Sequence, residues 1–226
     1  MEFPEIKQKL SQLDVASLCD AAKQRNLTEN SFQVLDAGLR PVQTGLKLIG
    51  RAFTVRCYED FLTVLHALAE AQPDDVLVID TQKSRRAVLG ELFSTEAARR
   101  GLAGIVVDGA CRDSAGIRKL AFPVYARFTN PMAGTTSRFF GVQEPVNCGG
   151  AVVRPGQIVF GDDDGLVVAE TAVFAQLIPL AQAVQATEDK LMAQMAAGVS
   201  LVDLTNAADH LAKVRAGEAS QLKFVV

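Results

Sequence analysis

The chain has 226 residues, 49% of them hydrophobic and 22% charged, which excludes a disordered or low-complexity protein. Lys and Arg number 23 against 26 Asp and Glu, a formal net charge of −3, so no surplus of positive charge exists to neutralise a phosphate backbone and a nucleic-acid partner is not expected. The apolar runs are strand-length and broken by charged residues, short of the roughly 20 residues that cross a bilayer, so no membrane partner is expected either.

The opening segment MEFPEIKQKLSQLD mixes acids and bases without a continuous apolar core. It reads as an amphipathic first helix rather than a secretory signal, and the expected location is the cytoplasm. Leu10, Leu13, Val15, Leu18 and Ala22 are spaced for one buried face across two helical patterns. LKLIGRAFTVRC (46–57) alternates as a strand does, with Gly50 as a bulge or a point of close approach. FLTVLHALAEA follows as a helix that PDD ends.

The next stretch predicts a strand VLVID (76–80), a loop TQKSRRA, a helix VLGELFSTEAARRG (88–101) and a strand GIVVDG (104–109). Val/Ile runs without alternation suit parallel strands covered on both faces, and Gly101 suits a helix C-terminus. A short helix RDSAGIRKL and a strand FPVYAR extend the parallel portion. Residues 139–169, cut by Gly, Pro and Asp clusters, predict antiparallel strands with tight turns. A long helix over 171–196 follows, then another after Leu201 with Asp203 as its N-cap. The expectation is one mixed α/β domain over 1–226, with N-terminal helices within about 1–40 and C-terminal helices over 171–226.

Several chemistries are absent: there is no G-x-S-x-G, no G-x-x-x-x-G-K-[ST], no G-x-G-x-x-G and no H-E-x-x-H. The four cysteines, Cys19, Cys57, Cys111 and Cys148, form no close pair and read as buried reduced thiols. With only two histidines, His66 and His210, a His-rich metal site is excluded, and any metal would be held by oxygen, favouring Mg²⁺ or Mn²⁺. His66 reads as a satisfied, partly buried residue. Lys83 is a loop lysine, with a Schiff-base role formally open. Asp162–Gly165 reads as a hairpin turn rather than a calcium loop.

Ligands of open α/β sheets bind beyond the carboxyl ends of parallel strands. The loop after VLVID leads to Gly90, Glu91, Leu92 and Phe93, and the loop after GIVVD holds Gly109, Ala110, Cys111, Arg112 and Asp113. Both emerge at one edge. A helix start and an Arg fork suit a substrate carboxylate, and two carboxylates with water suit a hard divalent cation that stabilises an enolate oxygen. The other account of the same residues is structural: Asp113 as a solvated N-cap of AGIRKL, and Glu91 as a first-turn acid favoured by the helix dipole.

The run GELFSTEAARRGLAGIVVDGACRD resembles the signature of the RraA-like family, which includes 4-hydroxy-4-methyl-2-oxoglutarate aldolases: an acid (Glu91), twenty intervening residues, then Arg112-Asp113. SLCDAAKQ, IGRAFTV and CGGAVVRPGQIVFGDDDGLVVAE are similar to further family segments. The resemblance implies a compact β/β/α layered sandwich of the swivelling-domain-like type, assembled as a homotrimer or hexamer with active sites between subunits. It implies that Asp113 ligates Mg²⁺ or Mn²⁺, that Glu91 acts on it through water, and that Arg112 binds the pyruvyl carboxylate. It further implies that Gly90, Leu92 and Phe93 complete the substrate cradle and that Glu188 of the C-terminal helix serves a neighbouring subunit's metal. The expected activity is a metal-dependent aldolase acting on a 2-oxo acid, with oxaloacetate decarboxylation as a companion. The alternative is a non-catalytic regulator that binds a ribonuclease. Two departures stand out: family aldolases often carry Asp where this chain has Glu91, and an acid where it has Gly116.

Overall fold

The structure, a computed structural model, describes residues 1–28 and 31–225. Two helices come first. Helix α1 (Phe3–Leu10) carries Pro4 in its first turn, where a missing N–H costs nothing. Helix α2 (Val15–Gln24) is capped by Asp14, whose carboxylate accepts from the Ser17 amide at 2.7 Å. Leu10, Leu13, Val15, Leu18 and Ala22 are all buried, as their spacing predicts.

The segment expected to hold only N-terminal helices also contains two short strands, β1 (Phe32–Val34) and β2 (Arg40–Pro41). Then come β3 (Leu48–Arg56), α3 (Leu62–Glu70), β4 (Asp75–Asp80), β5 (Ala87–Leu89) and α4 (Glu91–Arg99). These lead to β6 (Gly104–Cys111), α5 (Ser114–Ile117) and β7 (Val124–Thr129). Five short strands follow: β8 (Gly141–Val142), β9 (Val146–Cys148), β10 (Ala151–Val153), β11 (Ile158–Gly161) and β12 (Leu166–Ala169). The chain closes with α6 (Thr171–Ala196) and α7 (Ala207–Arg215).

The main sheet runs β1-β12-β11-β3-β4-β6-β7-β2, with β5 added beside β6 and β8 beside β3. Strands β3, β4, β6 and β7 are mutually parallel, and the outer strands are antiparallel. Residues two apart share a face. On one face Phe53, Val55, Leu77, Ile79, Ile105 and Val107 pack under α3, α4 and α5. Beside them Ile49, Ile158, Phe160 and Val167 pack under α1, α2 and α6. On the opposite face Val76, Val78, Val106, Val159 and Val168 meet Val146, Cys148, Ala151 and Val153 of the β9–β10 hairpin. The result is the β/β/α sandwich, and the central strands are covered on both faces as their unbroken Val/Ile runs require.

Gly50 pairs in regular register with Val159, so it is no bulge. It is a close approach, since a Cβ there would lie 2.6 Å from the Ala103 Cβ and 2.5 Å from the Asp74 carbonyl. The helix expected from residue 88 begins only at Glu91, because Ala87–Leu89 are buried and pair with β6 as β5. Asp203 is not a cap: α7 starts after Asn206 and buries none of its residues. His66 is exposed, resting edge-on against Phe139 with ring centroids 5.2 Å apart. Cys57, Cys111 and Cys148 are buried free thiols and Cys19 is half-buried. Among the described residues no helix is long and apolar enough to cross a membrane.

Candidate active site

The carboxyl end of β6 delivers Arg112 and Asp113 to the start of α4. The Arg112 amide donates to the Leu89 carbonyl at 3.0 Å, which ties the two loops together. Asp113 then takes a left-handed conformation (φ 56°, ψ 35°), which Asp tolerates better than most residues at a cost of order 1 kcal/mol. That turn has a chemical consequence. The Asp113 carboxylate does not cap its own helix, as the structural account expected, but swings across to α4, where the Glu91 amide faces it at 3.4 Å.

Gly90 makes room for this. A Cβ at position 90 would overlap Asp113 Oδ2 and lie 3.0 Å from Arg112 Cγ, while the extended backbone of Gly90 (φ −160°) is open to any residue. Space, not conformation, demands the glycine. A glycine at the N-cap also has no side chain to cap with, so, beyond the Glu91 amide that Asp113 meets, the Leu92 and Phe93 amides stay available at the positive end of the helix dipole. Arg112 Nε lies 3.5 Å from Asp113 Oδ2, with both side chains a little under half exposed. This is a loose ion pair, too long for a strong hydrogen bond.

The cleft below this rim is shallow, about 40 Å³, and is lined by Phe61, Ala87–Gly90, Leu92, Phe93, Arg112, Asp113 and Ala133. The predicted cradle residues Gly90, Leu92 and Phe93 therefore do meet Arg112 and Asp113. Phe61 and Phe93 close its base edge-to-face, with ring centroids 5.7 Å apart. Ala133 is brought in by backbone pairing of Met132 and Gly134 with Ala87, at 2.9 Å each. Cys111, next to Arg112, is buried, which pushes its thiol up to about 11. It is no nucleophile at neutral pH.

Asp60 was missed by sequence reasoning. It is 1% exposed and accepts hydrogen bonds from the Leu62 amide (2.9 Å), Thr135 Oγ1 (2.7 Å), and the Ser137 and Arg138 amides (2.6 and 3.1 Å). Burial pushes its pKa up, but the Thr135 hydroxyl and the three amides outweigh this and hold it below the usual carboxylate range. It thereby fastens the segment that carries Ala133. An Asp immediately before FLTVLHALAEA was the available signal.

The Glu91 carboxyl group lies over α5, against Gly116. Lys83 is exposed and does not line the cleft. Glu188 lines a different cavity, of about 1070 Å³, together with Asp20, Lys23 and His210. Burial, followed by the charges of Asp14 and Asp20, raises its pKa. Among the described residues no three His, Cys, Asp or Glu side chains gather as a metal cage. A cation such as Mg²⁺, which keeps most of its waters and takes only one or two carboxylates, needs no such cage, and Asp113 and Glu91 are the carboxylates nearest the start of α4 that could serve one.

The fold is a layered β/β/α domain in which the start of α4, the Arg112 guanidinium and the Asp113 carboxylate share one rim. The chain belongs to the RraA-like family, described as Aldolase/RraA, which matches residues 15–168. A relative from Halalkalibacterium halodurans, named as a proposed 4-hydroxy-4-methyl-2-oxoglutarate aldolase, is 34% identical over 157 residues, covering 69% of this chain and 75% of that protein. The crystal structure of an uncharacterised Pseudomonas syringae protein has a TM-score of 0.76 at 23% identity, covering 88% of this chain and 95% of that one. It supports the fold alone. The RNA-processing inhibitor RraA from Thermus thermophilis has a TM-score of 0.61 at 27% identity, covering 67% of this chain and 91% of that one.

Proposed function

We propose that this chain is a divalent-metal-dependent pyruvate aldolase that cleaves 4-hydroxy-4-methyl-2-oxoglutarate-like acids to pyruvate and a second keto acid, with oxaloacetate decarboxylation as a companion activity. The observation that carries this reading is the convergence of the α4 start, Arg112 and Asp113 on one rim. Arg112 and the amides of Leu92 and Phe93 receive the carboxylate of the 2-oxo acid, which fixes the orientation of the bond to be broken. The Phe61, Phe93 and Ala133 wall keeps water from the carbon side of the substrate. Asp113 would hold Mg²⁺ or Mn²⁺ directly and Glu91 through water; when bound, the cation supplies positive charge where negative charge builds on the keto oxygen. Glu91 would also orient the water that takes the proton of the C4 hydroxyl.

In this reading the cleft takes the 2-oxo acid end of the substrate, and the far end of a dicarboxylic substrate lies outside it. A homotrimer or hexamer in the cytoplasm, with a neighbouring subunit completing the wall and contributing Glu188, belongs to the same proposal. The likeness to the Thermus inhibitor supports a second reading, a regulator that binds a ribonuclease without catalysis.

The two separate by pyruvate release from oxaloacetate and from 4-hydroxy-4-methyl-2-oxoglutarate, measured above the metal-only background. Activity removed by EDTA and restored by Mg²⁺ or Mn²⁺ is expected. No release with either substrate under any metal, together with capture of a ribonuclease, would put the regulator first.

A further inference from the structure

The cleft at the α4 rim is polar at one end only. Arg112 and Asp113 stand where β5 runs into α4, with the Arg112 amide on the Leu89 carbonyl. The other end is walled by Phe61, Ala87 and Ala133, none of which has a polar side-chain atom. The Phe61 and Ala87 amides are already engaged by the Thr135 and Met132 carbonyls, at 2.9 Å each. Little in this wall can hold an anion, so that task falls to a side chain from beyond it.

Arg86 stands there. It precedes Ala87, and its amide bonds Ser84 Oγ at 3.1 Å. Its Nη1 lies 3.4 Å from the Ala133 carbonyl, and its Nε lies 3.6 Å from Glu59 Oε2, with both side chains a little under half exposed. The first contact is a weak hydrogen bond and the second is too long to be one. Among the described residues the guanidinium makes that one hydrogen bond, although it carries five N–H donors. The extended strand β5 puts about 7 Å between Ala87 and Leu89. Arg86 and Arg112 therefore enter at opposite ends of one cleft, as the two carboxylates of a five-carbon 2-oxo diacid stand at opposite ends of its chain.

We propose that Arg86 is a specificity-determining residue: it receives the distal carboxylate of the substrate and selects 2-oxo diacids over 2-oxo acids with an apolar tail. Glu59 then occupies the guanidinium loosely and gives way to the substrate carboxylate. This inference rests on the proposed aldolase reading and names the residue that selects its substrate class.

The test uses two matched ligands, 2-oxoglutarate and 2-oxopentanoate, which carry a carboxylate and a methyl group at the far carbon. Neither has a C4 hydroxyl, so neither is cleaved. Binding of each is followed by calorimetry with Mg²⁺ present, and the readout is the ratio of the two affinities. Wild type is expected to favour 2-oxoglutarate. Arg86→Gln is expected to lower that ratio about 10- to 100-fold, the worth of a charge-assisted hydrogen bond, while binding 2-oxopentanoate as before. Arg86→Lys, which keeps the charge without the planar fork, is expected to recover part of it.

Glu59→Gln separates this role from a merely structural ion pair. If the pair only ties β5 to the loop before α3, both variants lower the melt slightly and leave the ratio alone. If Arg86 receives the substrate, the two act in opposite directions, and Glu59→Gln raises the ratio by removing a competing carboxylate. A ratio unchanged in Arg86→Gln, or lowered in both variants, would overturn the inference and leave the aldolase reading standing. A wild type that binds neither acid would sink the reading of the site, and this inference with it.

Discussion

Two Arg–Asp pairs stand at the carboxyl ends of the parallel strands, and they differ in every respect except composition. Arg127 on β7 bonds Asp108 on β6 and reaches Asp36 at 3.1 Å, with the Arg127 and Asp108 side chains only 10% and 5% exposed. Asp108 also accepts from the Gly149 amide at 2.7 Å, and its backbone carbonyl accepts from Thr81 Oγ1 at 2.7 Å. Only Nη2 of the Arg127 fork is left over. This pair clasps the β9–β10 hairpin to the sheet. Arg112 and Asp113, on the helix-covered side, stand 3.5 Å apart, 44% and 43% exposed, beside the start of α4, with Asp113 in a left-handed conformation. A buried pair with nearly all its hydrogen-bonding capacity engaged holds a fold; an exposed pair at a strained turn has capacity left for a ligand.

That contrast can be broken by substitution. The largest expected effect is on catalysis: Asp113→Ala should lower kcat/KM by roughly 100- to 1,000-fold with a melting temperature close to wild type. Asp108→Ala should do the reverse, costing about 3–5 kcal/mol in urea denaturation, because it leaves Arg127 buried beside an empty place.

The sequence anticipated one of these pairs and not the other, for a physical reason. Arg112 and Asp113 are adjacent in a loop at a strand end, where chemistry is expected. Asp108 is hidden within GIVVDG and its partner lies 19 positions on, a relation that periodicity does not register. Asp60 escaped for the same reason, since its partner Thr135 is 75 positions away. The β/β/α layering was legible because runs such as VLVID and GIVVD have the Val/Ile content of doubly covered strands. Val88 and Leu89 were not, because three apolar residues before a helix show no period of their own. Nor was the reason for Gly90 visible: it is set by a carboxylate that folding brings from the other loop.

Smaller effects sharpen the comparison. Asp60→Asn should cost about 2 kcal/mol at neutral pH, since Asp60 is a buried, charged acceptor. Its folded pKa is lowered, so its contribution is present above the unfolded value of about 3.9 and is lost as pH falls through the folded value. The gap between wild type and Asp60→Asn should therefore close in melts taken below about pH 4, and a constant gap would refute the assignment. Smallest of all, Arg99→Ala removes an exposed partner of Glu96 within α4 and should leave melt and turnover unchanged.

The most direct measurement sets Arg112→Ala beside Arg127→Ala, following pyruvate release from oxaloacetate and the thermal melt of each. The account predicts that Arg112→Ala melts as wild type and loses turnover, while Arg127→Ala melts lower and its folded fraction still turns over. Wild-type turnover in Arg112→Ala, or a fall in its melt as large as that of Arg127→Ala, would contradict it.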